Sequence, residues 1–132
     1  MTNTTTSFDH TLLVEDYTTL WNEPDAELRR RAIAALWSAG GVEYVEGAHF
    51  AGLDELDARV AEAHNAFVAS GLYRAVNAAD ARRHGDLVLF TLQLATPDAG
   101  EIAWAARVFL LLGSDGRIRE DYQITVQALA VQ

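Results

Sequence analysis

The sequence predicts an α+β domain in which helices cover one side of a curved antiparallel sheet. Apolar residues recur mainly at helical spacing up to Ala69, whereas strand-like segments and hairpin turns fill the chain from Leu72 onwards. The length of 132 residues is that of one domain with a core of its own.

The composition narrows the class of protein. Half of the residues are hydrophobic and 22% are charged, as in ordinary globular domains. The net charge of -9 argues against nucleic acids and anionic membranes as partners, because both bind basic surfaces. The chain has no cysteine, which excludes disulfides and thiolate sites.

The beginning of the chain reads as a lead-in to one domain. Residues 1–7 are Thr-rich and lack the basic and apolar regions of a signal peptide, so we predict a disordered segment there and a single domain over residues 8–132. No apolar run approaches the roughly 20 residues of a membrane span. A cytoplasmic location is therefore expected.

Two helices open the predicted domain. The first begins at Phe8 and carries one apolar stripe. It ends near Pro24, since a proline disfavours a helical conformation in the residue before it. The second helix is predicted to end at Gly40-Gly41, because glycine is the usual residue just past a helix C-terminus.

A short strand and a third helix complete the first half. The strand covers residues 42–46 and is followed by a loop over residues 47–52. The third helix covers residues 54–69, where apolar side chains repeat at intervals of three and four, and Gly71 lies just past its end.

The second half reads as a four-stranded meander. Its strands are predicted over residues 72–81, 87–96, 101–112 and 117–130, separated by hairpin-type turns. The second of these strands is apolar on both faces. We assign Val88, Phe90, Leu92 and Leu94 to the face turned away from the helices. A patch of this kind is unusual on a soluble monomer, so we predict a homodimer through the outer sheet face.

Glu46 is the first candidate for chemistry. In period-two geometry it shares one strand face with Val42 and Tyr44. A carboxylate on an apolar face is costly unless something uses or satisfies it. The alternative is that Glu46 lies in water at the frayed end of the strand.

Over roughly residues 8–127 the chain resembles the nuclear-transport-factor-2-like superfamily, which includes SnoaL-like polyketide cyclases, ketosteroid isomerases and limonene epoxide hydrolases. Three segments carry the resemblance: residues 17–25 in the first helix, residues 44–47 in the first strand, and Asp115-Gly116-Arg117-Ile118 before the last strand. The resemblance implies a cone-shaped, curved antiparallel β-sheet that three N-terminal helices close around a pocket.

The resemblance also implies roles for three residues. Tyr17 falls where the ketosteroid isomerases keep an oxyanion-holding tyrosine, and Glu46 falls where they keep the carboxylate base. Asp121 falls where the cyclases and epoxide hydrolases place a catalytic acid. The isomerases' second donor maps near Val108, which cannot donate a hydrogen bond. The non-catalytic alternatives are plain core packing for Tyr17 and a solvated ion pair for Asp121.

The predicted ligand-binding residues are mostly aromatic or apolar, with a few polar groups to orient a ligand. They are Trp21, Trp37, His49, Phe50, Val60, His64, Phe67, Tyr73, Asn77, Thr91, Gln93, Trp104 and Val108. For any single aromatic residue, ordinary core packing is the alternative. No two histidines have the i, i+4 spacing of a helical metal site, so no metal is predicted.

These observations predict a small enzyme that needs no cofactor and acts on an apolar small molecule by carboxylate acid/base chemistry. Isomerisation, cyclisation, dehydration and epoxide opening all fit. The alternative is a non-catalytic module of the same fold that binds a small ligand or dimerises. The absence of a donor near Val108, and of the histidine that a cyclase carries on the penultimate strand, favours this alternative.

Overall fold

A computed structural model describes residues 9–130 of the protein. The predicted lead-in over residues 1–7 lies outside the described residues. The elements in chain order are α1 (His10–Asn22), α2 (Ala26–Leu36), β1 (Trp37–Val45), β2 (Ala48–Ala51), α3 (Leu53–Ala63), a π-helical turn (His64–Val68), β3 (Arg74–Asn77), β4 (Arg82–His84), β5 (Leu87–Ala95), β6 (Ile102–Leu112) and β7 (Ile118–Gln127). Within the described residues, no helix is long and apolar enough to cross a membrane.

Capping aspartates set the starts of the first two helices. The Asp9 carboxylate accepts hydrogen bonds from backbone N–H groups in the first turn of α1, and Asp25 does the same for α2. The predicted end of α2 at Gly40-Gly41 was wrong, because Trp37 already has extended dihedral angles and begins β1. Gly41 instead allows a close approach within the sheet: a Cβ there would lie 2.9 Å from the carbonyl oxygen of Ile118.

The seven strands form one curved, unclosed sheet in the order β2-β1-β7-β6-β5-β3, with β4 also paired to β5. All neighbours are antiparallel except β1 and β7, which run parallel. The predicted α+β class with three helices over a curved sheet is confirmed. The pairing of β1 with β7 brings residues that are far apart in the sequence side by side, and the candidate site depends on this pairing.

Two short strands were missed by the sequence prediction. β2 lies within the predicted loop over residues 47–52 and forms a hairpin with β1. β4 lies within a predicted turn and continues the edge that β3 begins. The edge is interrupted at Asp80, whose carboxylate accepts hydrogen bonds from the backbone N–H and the hydroxyl of Thr91, at 2.8 and 2.6 Å.

The face prediction for β5 was wrong. Val88 and Phe90 have no exposed surface and Leu92 is only 4% exposed, so this row packs under the helices. Both faces of β5 are apolar, and period-two alternation therefore could not choose between them. The outer face carries Leu87 and Leu89 instead, both of which are half-buried.

The outer sheet face nevertheless keeps an apolar surface, formed by residues other than those predicted. Tyr44 and Tyr122 stack on each other with ring centroids 4.8 Å apart. On the same strand as Tyr122, Ile124 and Val126 are 51% and 60% exposed. These four residues are called the outer patch below.

Candidate active site

A cavity of about 290 Å³ lies between the inner face of the sheet and the helices. Its wall is mainly apolar and includes Trp21, Phe67, Leu92, Leu94 and Trp104. The polar side chains in the wall are Glu46, Arg59, Gln123 and Thr125. An apolar cavity with a few polar groups is the usual form of a small-molecule site.

Behind Gln123 lies a chain of buried hydrogen bonds. The Gln123 side-chain amide donates to the Tyr17 hydroxyl at 2.7 Å, and that hydroxyl donates to Asp121 Oδ2 at 2.6 Å. Tyr17 and Asp121 have no exposed surface. Tyr17 is held by edge contacts to the rings of Trp21 and Phe90. The Tyr17 hydroxyl is thus already used as both donor and acceptor.

Behind Arg59 lies a second acid. Glu43 is 1% exposed, and its Oε1 accepts a hydrogen bond from Arg59 Nε at 3.1 Å. Glu43 on β1 and Asp121 on β7 are register partners in the parallel pair. Adjacent strands are about 4.8 Å apart and both side chains are buried, so the two carboxyl groups are neighbours. We call Glu43 and Asp121 the acid pair.

Burial perturbs the titration of the acid pair. Desolvation raises the pKa of Asp121 well above its usual value, and the nearby charge of Glu43 adds to the shift. Desolvation also raises the pKa of Glu43, although Arg59 opposes the shift. Within the described residues, Glu43 Oε2 and Asp121 Oδ1 are buried without a hydrogen-bond partner. Two negative charges buried side by side away from water are costly, and this favours protonation of one of the two carboxyl groups.

Desolvation likewise raises the pKa of Tyr17 far above its usual value, with the charges of Asp121 and Glu43 as further causes. The phenol therefore stays neutral at physiological pH. The site thus holds a neutral phenol, two acids with raised pKa values and one guanidinium.

Three solved structures resemble this chain over most of its length. A candidate isomerase of the SnoaL-like family from Agrobacterium tumefaciens has 25% identity and a TM-score of 0.78, covering 88% of this chain and 96% of its own. A candidate polyketide cyclase from Sinorhizobium meliloti has 19% identity and a TM-score of 0.64, with coverages of 88% and 99%. The de novo designed NTF2-fold protein NT-9 has 19% identity and a TM-score of 0.65, with coverages of 86% and 81%.

The chain has the nuclear-transport-factor-2-like fold. No protein-family model matches the sequence, and no curated protein is significantly similar to it. Two of the three similar structures have names that denote enzyme classes, an isomerase and a cyclase. The resemblance drawn from the sequence is therefore confirmed for the fold.

In this nuclear-transport-factor-2-like chain, the predicted trio of Tyr17, Glu46 and Asp121 is only partly brought together. Tyr17 and Asp121 are directly bonded. Glu46 follows the end of β1, is exposed and lines the cavity, with its Oε2 accepting a hydrogen bond from the backbone N–H of Thr125 at 3.3 Å. The catalytic roles of all three stay predictions.

Glu43 was missed because the strand face was assigned wrongly. The inward row of β1 is Gly41, Glu43 and Val45, whereas Tyr44 lies on the outer face. Each row of this strand carries one glutamate, so alternation alone could not select the buried one. The parallel pairing with β7 places Glu43 beside Asp121, and local sequence carries no signal for that pairing.

The predicted ligand-binding residues separate into three groups. Trp21, Phe67 and Trp104 line the cavity. Trp37, Val60, His64 and Val108 are buried core residues, with His64 Nδ1 2.8 Å from the Trp21 carbonyl oxygen. Outside the cavity wall lie His49, which is exposed, and the half-buried Phe50, Tyr73, Asn77, Thr91 and Gln93.

The polar members of the last group have local partners. The Asn77 side-chain amide donates to Thr18 Oγ1 at 3.2 Å, and Thr91 is bonded to Asp80. Over residues 9–130, no group of three histidine, aspartate or glutamate side chains is placed to hold a metal ion.

Proposed function

We propose that the protein is an isomerase-type enzyme that needs no cofactor and moves a proton on an apolar small molecule. The observation that carries the proposal is the acid pair, buried beside an apolar cavity with one unpartnered oxygen on each member. Unpartnered buried carboxyl oxygens cost stability, and such groups concentrate at functional sites. The name of the structurally similar isomerase agrees with this reaction class.

In the proposed chemistry the two acids divide the roles of base and acid. Glu43 is the carboxylate, because Arg59 Nε lies 3.1 Å from it and favours its charged form. Asp121 is the protonated acid, because its carboxyl is fully buried and faces a second negative charge.

Glu46 is the competing candidate for the base. It lines the cavity directly, whereas neither member of the acid pair does. Arg59 and Gln123 stand between the acid pair and the cavity, so proton transfer from that pair requires one of these side chains to shift. The separation of the acid pair from the cavity also favours a second candidate function, that of a small-ligand-binding module without catalysis.

Deuterium incorporation tests the proposal. The protein is incubated in D₂O with a panel of apolar cyclic ketones, and exchange at the carbon next to the carbonyl is followed by NMR. Wild type should exchange at least one ketone, and Glu43→Gln or Asp121→Asn should slow this by roughly 10²–10⁴-fold, the usual contribution of acid/base catalysis. Glu46→Gln should stay within a few-fold of wild type.

Other outcomes are equally informative. Loss of exchange in Glu46→Gln alone would move the base to Glu46. Binding of ketones by wild type with no exchange in any of them would identify the ligand-binding module. Glutamine and asparagine are close in shape to the acids that they replace, so each variant should keep its fold. Unfolding curves check this.

We also propose that the protein is a homodimer through the outer patch. Ile124 and Val126 are 51% and 60% exposed beside the stacked pair Tyr44 and Tyr122, and burying this surface would stabilise an interface. Light scattering at micromolar concentration should give a dimer for wild type and a monomer for Ile124→Glu/Val126→Glu. Leu72→Glu, at a residue that is 58% exposed outside the sheet, should remain dimeric. A monomeric wild type would contradict the proposal.

A further inference from the structure

A second concavity, of about 230 Å³, lies between α1 and α2 and shares no lining residue with the cavity between the sheet and the helices. Its floor is formed by Leu20 and Leu36, which are 2% and 7% exposed. Its walls carry the small residues Thr19, Ala32 and Ala35. The distance at which two helices pack depends on the side chains at their contact, so small walls let another helix come close. We call this concavity the α1–α2 groove.

Exposed leucines add to the apolar surface of the α1–α2 groove. Leu28, in the first turn of α2, lines the groove and is 47% exposed. Leu12 is 60% exposed and lies one turn before Asp16, on the same face of α1. The stretch of α1 from Leu12 to Glu23 is about 17 Å long, at about 1.5 Å per residue. These dimensions suit one α-helix of a partner, which would place apolar side chains from successive turns in the groove.

The α1 side of the groove is acidic. Asp16 and Glu23 line it, and within residues 9–130 neither carboxylate forms an ion pair. Arg29 donates to the backbone carbonyl oxygen of Glu23, at 2.7 Å, and not to its carboxylate. On α2, Arg31 is already paired with Glu27 at 3.7 Å. The groove therefore presents two acidic side chains beside an apolar floor.

We propose that the α1–α2 groove docks a basic amphipathic helix of a partner protein. The apolar face of that helix packs on Leu20 and Leu36, and its lysine or arginine side chains lie against Asp16 and Glu23. Charge selects this occupant, because a second copy of the chain, with its net charge of -9, or an anionic membrane would meet the acidic side with like charge. The inference is independent of the proposed function, since the groove and the cavity have no lining residue in common.

Three synthetic peptides test the inference. Each has about 15 residues, the length at which an isolated helix begins to form in water. The basic peptide carries leucines along one helix face and lysines along the other. The acidic peptide has glutamate in place of every lysine, and the scrambled peptide has the composition of the basic one without an apolar stripe. In calorimetric titrations of the wild-type chain, the basic peptide should bind about 10-fold or more tightly than either of the others.

Matched variants at neighbouring positions test the role of the groove. Asp16→Lys should weaken binding of the basic peptide by about 5–10-fold, because it reverses one charge at the rim. Glu15→Lys changes the net charge equally, outside the groove, and should stay within about 2-fold of wild type. Ala35→Tyr fills the groove and should weaken binding by about 10-fold or more, whereas Ala34→Tyr should bind like wild type. All four positions are exposed, so each variant should keep the fold.

Chemical-shift mapping by NMR locates the bound peptide, which matters because the outer patch is also apolar and exposed. The shifts should concentrate at Thr19, Ala32 and Ala35. Shifts at Ile124 and Val126 with none in the groove would overturn the proposal. Contacts between the groove and residues 1–8 in the free protein would assign the groove to the start of the chain itself, and would also overturn it.

Three further results would overturn the proposal. The first is equal binding of the basic and scrambled peptides, which would reduce the interaction to general attraction between opposite charges. The second is equal weakening by Asp16→Lys and Glu15→Lys, which would show that the position of the charge is unimportant. The third is the absence of binding by the basic peptide.

Discussion

Replacing Glu43 by glutamine and Asp121 by asparagine together should remove a loss of stability that wild type shows as the pH rises above the ordinary carboxyl pKa values, and should therefore stabilise the protein most at the alkaline end of that range. Both carboxyl groups are buried, and each has one oxygen without a partner among the described residues. A neutral amide in the same place costs less than a charge.

The direction of the pH effect follows from the pKa values. Desolvation raises the folded-state pKa of Glu43 and Asp121 above their ordinary values of 4.5 and 3.8. The folded protein therefore keeps a proton that the unfolded chain releases. Their contribution to stability is complete below about pH 4 and is lost as the pH rises toward the folded-state pKa values. Each such proton changes the free energy of unfolding by about 1.4 kcal/mol per pH unit.

Urea unfolding between about pH 4.5 and pH 8 measures this effect. Glu15→Gln/Glu62→Gln is the matched control, because it also removes two acidic charges, but from exposed helix positions. The control should keep the wild-type slope of stability against pH, whereas the buried double variant should lose most of it. Equal slopes in all three proteins would show that the acid pair titrates normally.

The fold was predictable because most of its signals are local. The apolar spacing of the helices and the turn residues of the meander lie close together along the chain, and β5, β6 and β7 were found within one to three residues of their ends. The errors have non-local causes. Trp37 leaves the helix because it pairs with Ile118, and the face of β5 is decided by packing against the helices.

The candidate site was less predictable for the same reason. Tyr17 and Asp121 are 104 residues apart in the sequence, and the family resemblance indicated them as site residues. The position of Glu43 beside Asp121 depends on the parallel pairing of β1 with β7, which local sequence does not reveal. Arg59 did leave a signal in the sequence. It lies three residues after Leu56 and four before Ala63, on the inward stripe of α3, where a charged residue needs a partner.

Tyr17→Phe should lower the free energy of unfolding by roughly 2–6 kcal/mol, since it leaves two buried groups without a partner and each costs about 1–3 kcal/mol. The groups are Asp121 Oδ2 and the Gln123 side-chain amide, both bonded to the Tyr17 hydroxyl. The family resemblance implies another result. A tyrosine that holds a ligand oxyanion would lose activity on this change and keep most of its stability.

Thermal or urea unfolding with and without ligand distinguishes the two results. Tyr122→Phe is the matched control, because its hydroxyl also donates to a carboxylate, that of Glu120, but on the exposed outer face. It should unfold close to wild type. The variant Tyr17→Phe/Gln123→Leu also removes the Gln123 amide that Tyr17→Phe leaves without a partner. If the Tyr17 hydroxyl serves the buried network, this variant should regain part of the lost free energy of unfolding. Unchanged stability of Tyr17→Phe together with lost ketone exchange would instead assign Tyr17 to the ligand, and would place the cavity deeper, against the Tyr17 hydroxyl.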